Sequence, residues 1–324
     1  MNPPDLKEPV FADVQDARER IRPWLSPTAL NSYPRLCELS GIDLLVKQEN
    51  HQPIGAFKVR GGVNLLSCLD EQDRQRGVIS ASTGNHGQSI AWAAKLFGVR
   101  AIITVPEGAN PSKVDSMLAL GAEVVFHGRD FDEAREEVER RSAAEGLRYI
   151  HSANEPLLIA GVATCTLEII EEAPDLDALI VPIGGGSGAA GAGLVLENLS
   201  PQTRLIGVQA EDAPAACLSW RPGKLVEAPM TTKAEGLATR CAFELTQRML
   251  RKRLDEFVLV SEEEMNNAVR LLLGKTSSLA EPSGAASLAA ALKLADRLSG
   301  KKTAVVLSGA NIAPEQLRSI LRST

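Results

Sequence analysis

A lysine with small and apolar neighbours is the first group in the chain that suggests chemistry. Lys58 lies in the segment GAFKVRGG, residues 55–62, at the predicted start of an amphipathic helix that continues to Leu69. A lysine amine can act as a nucleophile or as a base. Since most lysines are ordinary solvated helix residues, the segment alone establishes nothing. Phe57 before it and two further motifs favour a chemical role.

Two turns between a predicted strand and a predicted helix are candidate sites for anions. The first is ASTGNHGQ, residues 81–88, and the second is PIGGGSGAAG, residues 182–191. Free backbone N–H groups and the positive end of a helix dipole bind a carboxylate or a phosphate at such turns, and glycines let the backbone approach closely. The alternative for the first turn is a simple helix start, capped by Ser82, Thr83 or Asn85.

The glycine turn also has a competing interpretation as a nucleotide site. Its GGGSG spacing departs from the dinucleotide fingerprint, which leaves only Glu211, after the next predicted strand, to bind a ribose. The turn also lacks the GK[ST] ending of a nucleotide P-loop.

A fourth motif, LSGAN at residues 307–311, follows a predicted strand. Taken alone, Ser308 and Asn311 are ordinary turn residues. In a parallel sheet, however, ligands collect at the carboxyl ends of the strands, so all of these turns can face one cleft.

The elements that must position these motifs alternate along the chain. Strand-like apolar runs alternate with helical periodicity, which predicts an α/β fold of two doubly wound parallel-sheet lobes. The smaller lobe is predicted at residues 50–148 and the larger at residues 1–49 and 149–324. Helices are predicted at residues 86–97 and 111–120. Strands are predicted at residues 77–81, 101–105 and 123–126, then at 148–150, 178–181, 204–209, 257–260 and 303–307. Residues 220–240 lack periodicity and predict a long surface loop.

Composition excludes several classes of protein. The chain has 324 residues, 44% of them hydrophobic, which excludes a disordered or fibrous protein. A net charge of -6 gives no footprint for nucleic acid as a partner. The cysteines are scattered and unpaired in spacing, which predicts reduced, mostly buried thiols in the cytoplasm. They are Cys37, Cys68, Cys165, Cys217 and Cys241.

Neither export nor membrane insertion is expected. The first twenty residues carry prolines and charges where a secretory signal has an apolar core. Residues 179–196 are uncharged and almost long enough to span a bilayer, but Pro182 and the glycines favour a strand, a loop and a helix.

In order and spacing, the motifs resemble the fold type II pyridoxal-phosphate enzymes, and within them the threonine/serine dehydratases, the serine racemases and the dehydratase of hydroxyectoine utilisation. The resemblance runs from residues 26–36 through KQENHQPIGAFKVRGG, ASTGNHGQ, HSANEPLLIAGVAT, PIGGGSGAAG and EPSGAAS to LSGAN. It implies pyridoxal 5'-phosphate bound between the two lobes, an amino-acid substrate and a homodimer. The implied reaction is β-elimination of a β-hydroxy amino acid such as threonine or serine to a 2-keto acid and ammonia.

The resemblance also implies a role for each matching residue. Lys58 would carry the cofactor as a Schiff base and, once freed, act as the catalytic base, with Thr83 as a second catalytic residue. Asn85 would hydrogen-bond the ring hydroxyl of the cofactor, and Ser308 would face its pyridine nitrogen. The other implied cofactor-binding residues are Phe57, Gly184, Gly185, Gly186, Ser187, Gly188, Gly236 and Glu281. The implied substrate-binding residues are Ser82, Thr83, Gly84, His86 and Asn154.

Four departures from the family pattern keep alternatives open. Ala56 stands where many relatives have serine, and Ser187 replaces one glycine of the common tetraglycine form. Thr83 stands where dehydratases usually have alanine and racemases have serine, so an amino-acid racemase is the main alternative. Glu211 matches one ligand of a divalent-cation site, but Cys217 falls where an aspartate would be, and no metal is predicted. A non-catalytic cofactor-binding protein and a nicotinamide-binding domain are the remaining alternatives.

Overall fold

The computed structural model describes residues 6–322, which form two mainly parallel sheets covered by helices. The strands in this range are β1 (Leu30–Ser32), β2 (Asp43–Gln48), β3 (Val78–Ala81), β4 (Ala101–Val105), β5 (Glu123–Phe126), β6 (Arg148–Tyr149), β7 (Ala178–Pro182), β8 (Arg204–Ala210), β9 (Glu256–Val260) and β10 (Lys302–Leu307). The helices in this range are α1 (Phe11–Ile21), α2 (Pro34–Ser40), α3 (Val59–Ser67), α4 (Glu71–Arg76), α5 (Asn85–Phe97), α6 (Pro111–Ala119), α7 (Phe131–Glu145), α8 (Pro156–Glu172), α9 (Ser187–Leu199), α10 (Ala215–Trp220), α11 (Glu244–Arg253), α12 (Glu262–Thr276), α13 (Pro282–Lys293), α14 (Ala295–Leu298) and α15 (Pro314–Arg322).

The smaller sheet has the order β5-β4-β3-β6, and all neighbouring strands in it are parallel. β4 and β5 have the predicted bounds. The strand predicted at residues 148–150 was assigned to the larger lobe, and that assignment is wrong because β6 pairs with β3. β6 has only two residues, both half-buried, so its sequence carries no pattern that identifies its sheet. The division of the chain into lobes at residues 50 and 148 stays a prediction.

The larger sheet has the order β1-β2-β10-β7-β8-β9, in which only the β1–β2 pair is antiparallel. β7, β8, β9 and β10 overlap the strands predicted for the larger lobe. β2 was not predicted, because Lys47 and Gln48 interrupt its apolar run although both are buried.

The apolar segment at residues 179–196 forms the end of β7, a glycine turn and the start of α9, as predicted. Successive side chains of β7 enter opposite cores: Leu179 and Val181 pack with residues of α8 and α9, whereas Ile180 packs with residues of α13. Within residues 6–322, no helix has both the length and the apolar character needed to cross a membrane.

The long loop predicted at residues 220–240 is irregular apart from a one-turn 3₁₀ helix at Glu235–Leu237. Arg240 anchors its end to the helix that follows β5, because its guanidinium lies 2.8 Å from an oxygen of Asp132 and 3.1 Å from one of Asp130. The Lys233 amide in the same loop donates a hydrogen bond of 3.1 Å to Oε1 of Glu262 on α12, which follows β9, so the loop is attached to helices beside both sheets.

The carboxyl ends of β3, β7 and β10 meet at one cleft, as the parallel topology requires. α3 begins there, one residue after Lys58, and packs against α5 and α8. The motifs at residues 55–62, 81–88, 182–191 and 307–311 are thereby brought to the same place.

Candidate active site

The cleft contains nearly all of the predicted site residues. Its walls are the start of α3, the turn after β3, the glycine turn after β7, the loop before α11 and the start of α13. The predicted residues that line it are Phe57, Lys58, Ser82, Thr83, Gly84, Asn85, His86, Gly184, Gly185, Gly186, Ser187, Gly188, Gly236, Glu281 and Ser308. Asn154 does not line it; its side-chain oxygen accepts a hydrogen bond of 3.1 Å from the Leu245 amide.

Lys58 directs its amine toward the glycine turn. Nζ donates a hydrogen bond of 3.0 Å to Oγ of Ser187, at the first residue of α9. The backbone around it is held on both sides, because the Ser89 hydroxyl donates to the Lys58 carbonyl and the Phe57 amide donates to the Ser308 carbonyl. Burial lowers the pKa of Lys58 to about 8. Near neutral pH the amine is still mostly charged, but its uncharged fraction is far larger than that of a solvated lysine, and the uncharged form is the one that acts as a nucleophile or base.

The glycine turn has no room for side chains. A Cβ atom on Gly184 would lie 2.2 Å from the carbonyl oxygen of Gly236, and one on Gly185 would lie 3.0 Å from Cβ of Ala153. Gly186 has a φ of +90°, in the left-handed region that favours glycine. The turn leads directly into α9, whose first amides have no partners within the helix. A bare backbone at the positive end of a helix is a site for a phosphate group.

The turn after β3 forms a second anion site. Oγ of Ser82 accepts hydrogen bonds from the amides of Gly84 and Gly87, at 3.1 and 2.8 Å, so Ser82 caps the start of α5. Of the three candidate caps, Thr83 and Asn85 are excluded, because their side chains accept no hydrogen bond from this helix. Among the described residues, the amides of Thr83, Asn85 and His86 and the Thr83 hydroxyl have no hydrogen-bond partner. These groups are available to a carboxylate.

His86 is buried and neutral. Its Nε2 lies 2.9 Å from Oγ of Ser80, whose single hydrogen is donated to the Ile150 carbonyl at 2.7 Å. Nε2 must therefore carry the ring hydrogen. Burial, with the nearby charge of Lys58, lowers the pKa of His86 to about 3. In this position His86 contributes a backbone amide and a neutral ring, with its Nε2 directed away from the cleft.

Asn85 is held in one orientation by two partners. Its Oδ1 accepts a hydrogen bond of 2.8 Å from Nδ2 of Asn311, and its Nδ2 donates one of 2.5 Å to Oε1 of Glu281. The second hydrogen of its amide nitrogen is left to donate to a ligand. Burial raises the pKa of Glu281, and neighbouring Lys113 offsets only part of that effect.

Lys113 and Glu235 line the cleft but were not predicted. Nζ of Lys113 lies 2.7 Å from a carboxylate oxygen of Glu235 and 3.5 Å from one of Glu281, and we call these three residues the Lys113 cluster. The Lys113 side chain lies against Gly84, where a Cβ atom would be 3.0 Å from its Cδ. Nothing in the sequence around either residue distinguishes it from a solvated surface charge.

A second unpredicted group of charges lies under α3. Arg60 binds Glu49 through Nε and NH2, at 2.7 and 2.8 Å, and binds Glu168 through NH1 and NH2, at 2.6 and 2.8 Å. Lys47 donates to Glu168 at 2.6 Å. These four residues, which we call the Arg60 cluster, join α3 to β2, α8 and the 3₁₀ turn at Glu49–His51. The only sequence signal is the presence of charges inside otherwise apolar segments.

The region of the possible cation site contains an ammonium group. Nζ of Lys293 lies 3.2 Å from Oε1 of Glu211 and 3.1 Å from Oε2 of Glu264. Cys217, which follows Glu211 closely in the sequence, is buried. The described part of the chain contains no group of three or more His, Cys, Asp or Glu side chains arranged to hold a metal ion.

The cysteines only partly match their prediction. All five are free thiols. Cys165 and Cys217 are buried, but Cys37 and Cys241 are half-buried and Cys68 is exposed, so the expectation of mostly buried thiols is wrong. Cys37 and Cys68 lie on or beside short helix ends, where part of each side chain meets solvent.

Comparison with known proteins finds relatives that match most of the chain. A family model described as "Pyridoxal-phosphate dependent enzyme" matches residues 21–309. The L-threonine ammonia-lyase of Thermotoga maritima is 38% identical over 95% of this chain and 77% of its own length. The L-threo-3-hydroxyaspartate ammonia-lyase of Saccharomyces cerevisiae is 35% identical over 97% of this chain and 96% of its own. The solved structure of maize serine racemase has a TM-score of 0.91 and 29% identity, over 97% of both chains.

Proposed function

The chain belongs to the pyridoxal-phosphate dependent enzyme family, and on that premise we propose that it eliminates water from a β-hydroxy amino acid, threonine or serine; hydrolysis of the resulting imine takes up water again and releases ammonia and a 2-keto acid. The observation that supports this most directly is the position of the Lys58 amine. It lies 3.0 Å from Ser187, at the end of a glycine turn, and faces a cleft that also holds a second anion site.

The residues present fit the cofactor. The turn formed by Gly184, Gly185, Gly186 and Ser187 is a bare helix start that suits its phosphate. Lys58 would hold the cofactor through its amine, with Phe57 beside it. The free hydrogen of the Asn85 amide suits the ring hydroxyl, and the Ser308 hydroxyl suits the ring nitrogen. The Lys58 amine, the glycine turn and the neutral side chains of Asn85 and Ser308 thus suit, in that order, the carbonyl group, the phosphate and the ring of the cofactor.

Each group then has a task in the elimination. When bound, pyridoxal phosphate supplies an electron sink that makes the α-proton of an amino acid acidic. Once the Lys58 amine no longer holds the cofactor, it would remove that proton, and its lowered pKa suits it for this task. The free amides of Thr83, Asn85 and His86 bind the substrate carboxylate. The neutral hydroxyl of Ser308 supplies no counter-charge to a protonated ring nitrogen, which favours prompt loss of the β-hydroxyl.

Two measurements test the proposal. A panel of β-hydroxy amino acids, assayed with the cofactor-saturated enzyme, should yield equimolar keto acid and ammonia from L-threonine or L-serine. Absence of turnover with every member would overturn it. Borohydride reduction followed by peptide mapping should place the pyridoxyl group on Lys58, and a label on another lysine would contradict the assigned role.

Racemisation is the second candidate function, and the unbonded hydroxyl of Thr83 in the cleft is the observation that favours it. Lys58 approaches the α-carbon from one face only, so racemisation needs a second proton carrier on the other face. Incubation of one serine enantiomer in heavy water, with wild type and Thr83→Ala, separates the two functions. Faster racemisation than elimination in wild type, lost in Thr83→Ala, would replace the dehydratase assignment.

We further propose a cytoplasmic homodimer. Free cysteines suit a reducing compartment. Leu39 on α2, Leu273 on α12 and Leu321 on α15 are exposed, and α12 packs against both other helices, which provides an apolar surface for a second copy. Light scattering should give twice the chain mass, and Leu273→Glu should shift it toward the monomer. Cell fractionation tests the compartment.

A further inference from the structure

The Lys113 cluster sets the charge of the cleft. The ionisable side chains that line the cleft are Lys58, His86, Lys113, Glu235 and Glu281. His86 is neutral, and Lys58 is the cofactor-binding residue of the proposed function. Lys113 is the one remaining cation in this lining, and two carboxylates lie within 2.7 and 3.5 Å of its ammonium group.

Lys113 cannot easily turn to another anion. Its side chain is only 7% exposed, and the attraction of both glutamates outweighs the effect of burial and raises its pKa. A second carboxylate on a substrate would therefore find no free cation in the lining and would lie close to Glu235. Glu235 is the more exposed of the two glutamates, with 36% of its side chain accessible.

The rest of the outer wall is uncharged. It is formed by Phe131, Ser152, Ala238, Thr239 and Phe243. Oγ1 of Thr239 is buried and has no hydrogen-bond partner. A small neutral side chain, with one hydroxyl at most, suits these groups better than a charged one because it loses little hydration on entry.

We propose that Glu235 determines substrate specificity. By pairing with Lys113 it leaves that cation unavailable to a substrate, and this restricts the cleft to β-hydroxy amino acids with an uncharged side chain. The inference rests on the proposed function. It distinguishes this chain from enzymes that act on dicarboxylic β-hydroxy amino acids, because such substrates need a cation for the second carboxylate.

The first experiment compares kcat/KM of the holoenzyme for L-threonine, L-serine and L-threo-3-hydroxyaspartate. Wild type should prefer the better neutral substrate at least about 100-fold over the dicarboxylate, because a buried, unpaired charge is rejected strongly. Glu235→Gln keeps the shape and frees Lys113 from one of two partners. It should reduce that preference by about tenfold, mainly by raising kcat/KM for the dicarboxylate. Glu235→Asp retains the charge and should retain the preference for the neutral substrate.

The matched control is Glu227→Gln, which removes the same charge from the same loop at a residue that does not line the cleft. It should leave the preference unchanged. A second readout is binding without turnover: dissociation constants of L-aspartate and L-2-aminobutyrate, measured from the visible absorption of the bound cofactor. Their ratio should shift toward L-aspartate in Glu235→Gln alone, and thermal melting confirms that each variant is folded.

The outcomes separate the two levels of the argument. Turnover of no substrate by wild type sinks the proposed function. Turnover of a neutral substrate together with equal use of the dicarboxylate overturns only the inference. An unchanged binding ratio in a folded Glu235→Gln protein, or a shift of equal size in Glu227→Gln, also overturns it.

Discussion

Two clusters of charged side chains, one centred on Arg60 of α3 and the other lining the cleft, differ in their balance of positive and negative charge. The Arg60 cluster contains two cations and two carboxylates, and Arg60 and Glu49 within it are at most 1% exposed. The Lys113 cluster contains one cation and two carboxylates, and Glu235 within it is partly open to the cleft. The first joins four elements of the fold, whereas the second lines the site.

The difference in charge balance shifts the pKa values of Glu49 and Glu281 in opposite directions. Burial opposes ionisation of Glu49, but the charge and hydrogen bonds of Arg60 outweigh it, and the pKa of Glu49 is lowered. Burial also opposes ionisation of Glu281, and there the single lysine shared with Glu235 does not compensate, so the pKa is raised. In the Arg60 cluster the charges balance, and the carboxylates are stabilised as ions. In the Lys113 cluster the carboxylates outnumber the cation, so the cluster tends to bind a proton or to repel an anion.

The largest expected effect is a loss of activity at Lys58, which lies two residues before Arg60 in the chain. Lys58→Ala should lower kcat/KM for the best β-hydroxy amino acid by roughly 10⁴-fold, because it removes the cofactor-binding amine and the base together. The melting temperature should not fall. Lys95→Ala, at an exposed position of α5, is the control and should retain full activity. A fall in both variants would argue against a special role for Lys58.

Arg60→Met tests the other position. It should lower the free energy of unfolding by about 3–5 kcal/mol, because Glu49 is left as a buried carboxylate without its main partner. Urea unfolding of the apoprotein measures this. Arg100→Met breaks a pair with Glu123 of similar length, 2.7 Å, in which both side chains are about half exposed, and should cost less than about 1 kcal/mol. Equal losses in the two variants would remove the distinction between buried and surface pairs.

Glu49→Gln should cost about 3 kcal/mol at pH 7, and the cost should depend on pH. The folded-state pKa of Glu49 is below its ordinary value of 4.5, so its contribution to stability is present above pH 4.5 and is lost as the pH falls through the folded value. The difference between wild type and variant should therefore shrink below pH 4.5. A difference that grows with acidity would contradict the assigned direction.

Glu281→Gln should have the smallest effect and the opposite pH dependence. At pH 4 the protonated acid and the amide are alike, and the stability difference should be within about 1 kcal/mol. The folded-state pKa of Glu281 is above 4.5, so its favourable contribution is present below that pH and is lost as the pH rises through the folded value. Wild type should lose stability relative to the variant as the pH rises above 4.5 and through the folded-state pKa. If the stability difference from wild type changed with pH in the same direction for Glu49→Gln and Glu281→Gln, the contrast between the two clusters would be wrong.

The part of the fold that was predictable follows from repeated, strongly apolar strands. β4 and β5 are mostly apolar runs between glycine-marked turns, and their bounds were predicted. β2 was not predicted, since it contains buried polar residues. β6 was predicted as a strand but assigned to the wrong sheet, since it has only two residues and long-range pairing determines its sheet.

The same distinction holds for the cleft. Lys58, Asn85, the glycine turn and Ser308 lie in local motifs that face one cleft because parallel strands end on one side. Lys113, Glu235 and Arg60 acquire their importance only from partners more than ten positions away in the chain. A charge at one position carries no local mark of whether its partner lies in solvent or in the core.

The backbone contacts of the glycine turn also define which parts of the cleft tolerate redesign. Gly184 meets the carbonyl oxygen of Gly236, and a Cβ atom on Gly236 would in turn lie 2.7 Å from Oγ of Ser283. Gly184, Gly236 and Ser283 are therefore packed in series, and a larger residue at either glycine would displace its neighbour. A library built to alter substrate preference should therefore keep both glycines and diversify the neutral wall at Ser152 and Thr239, which line the cleft.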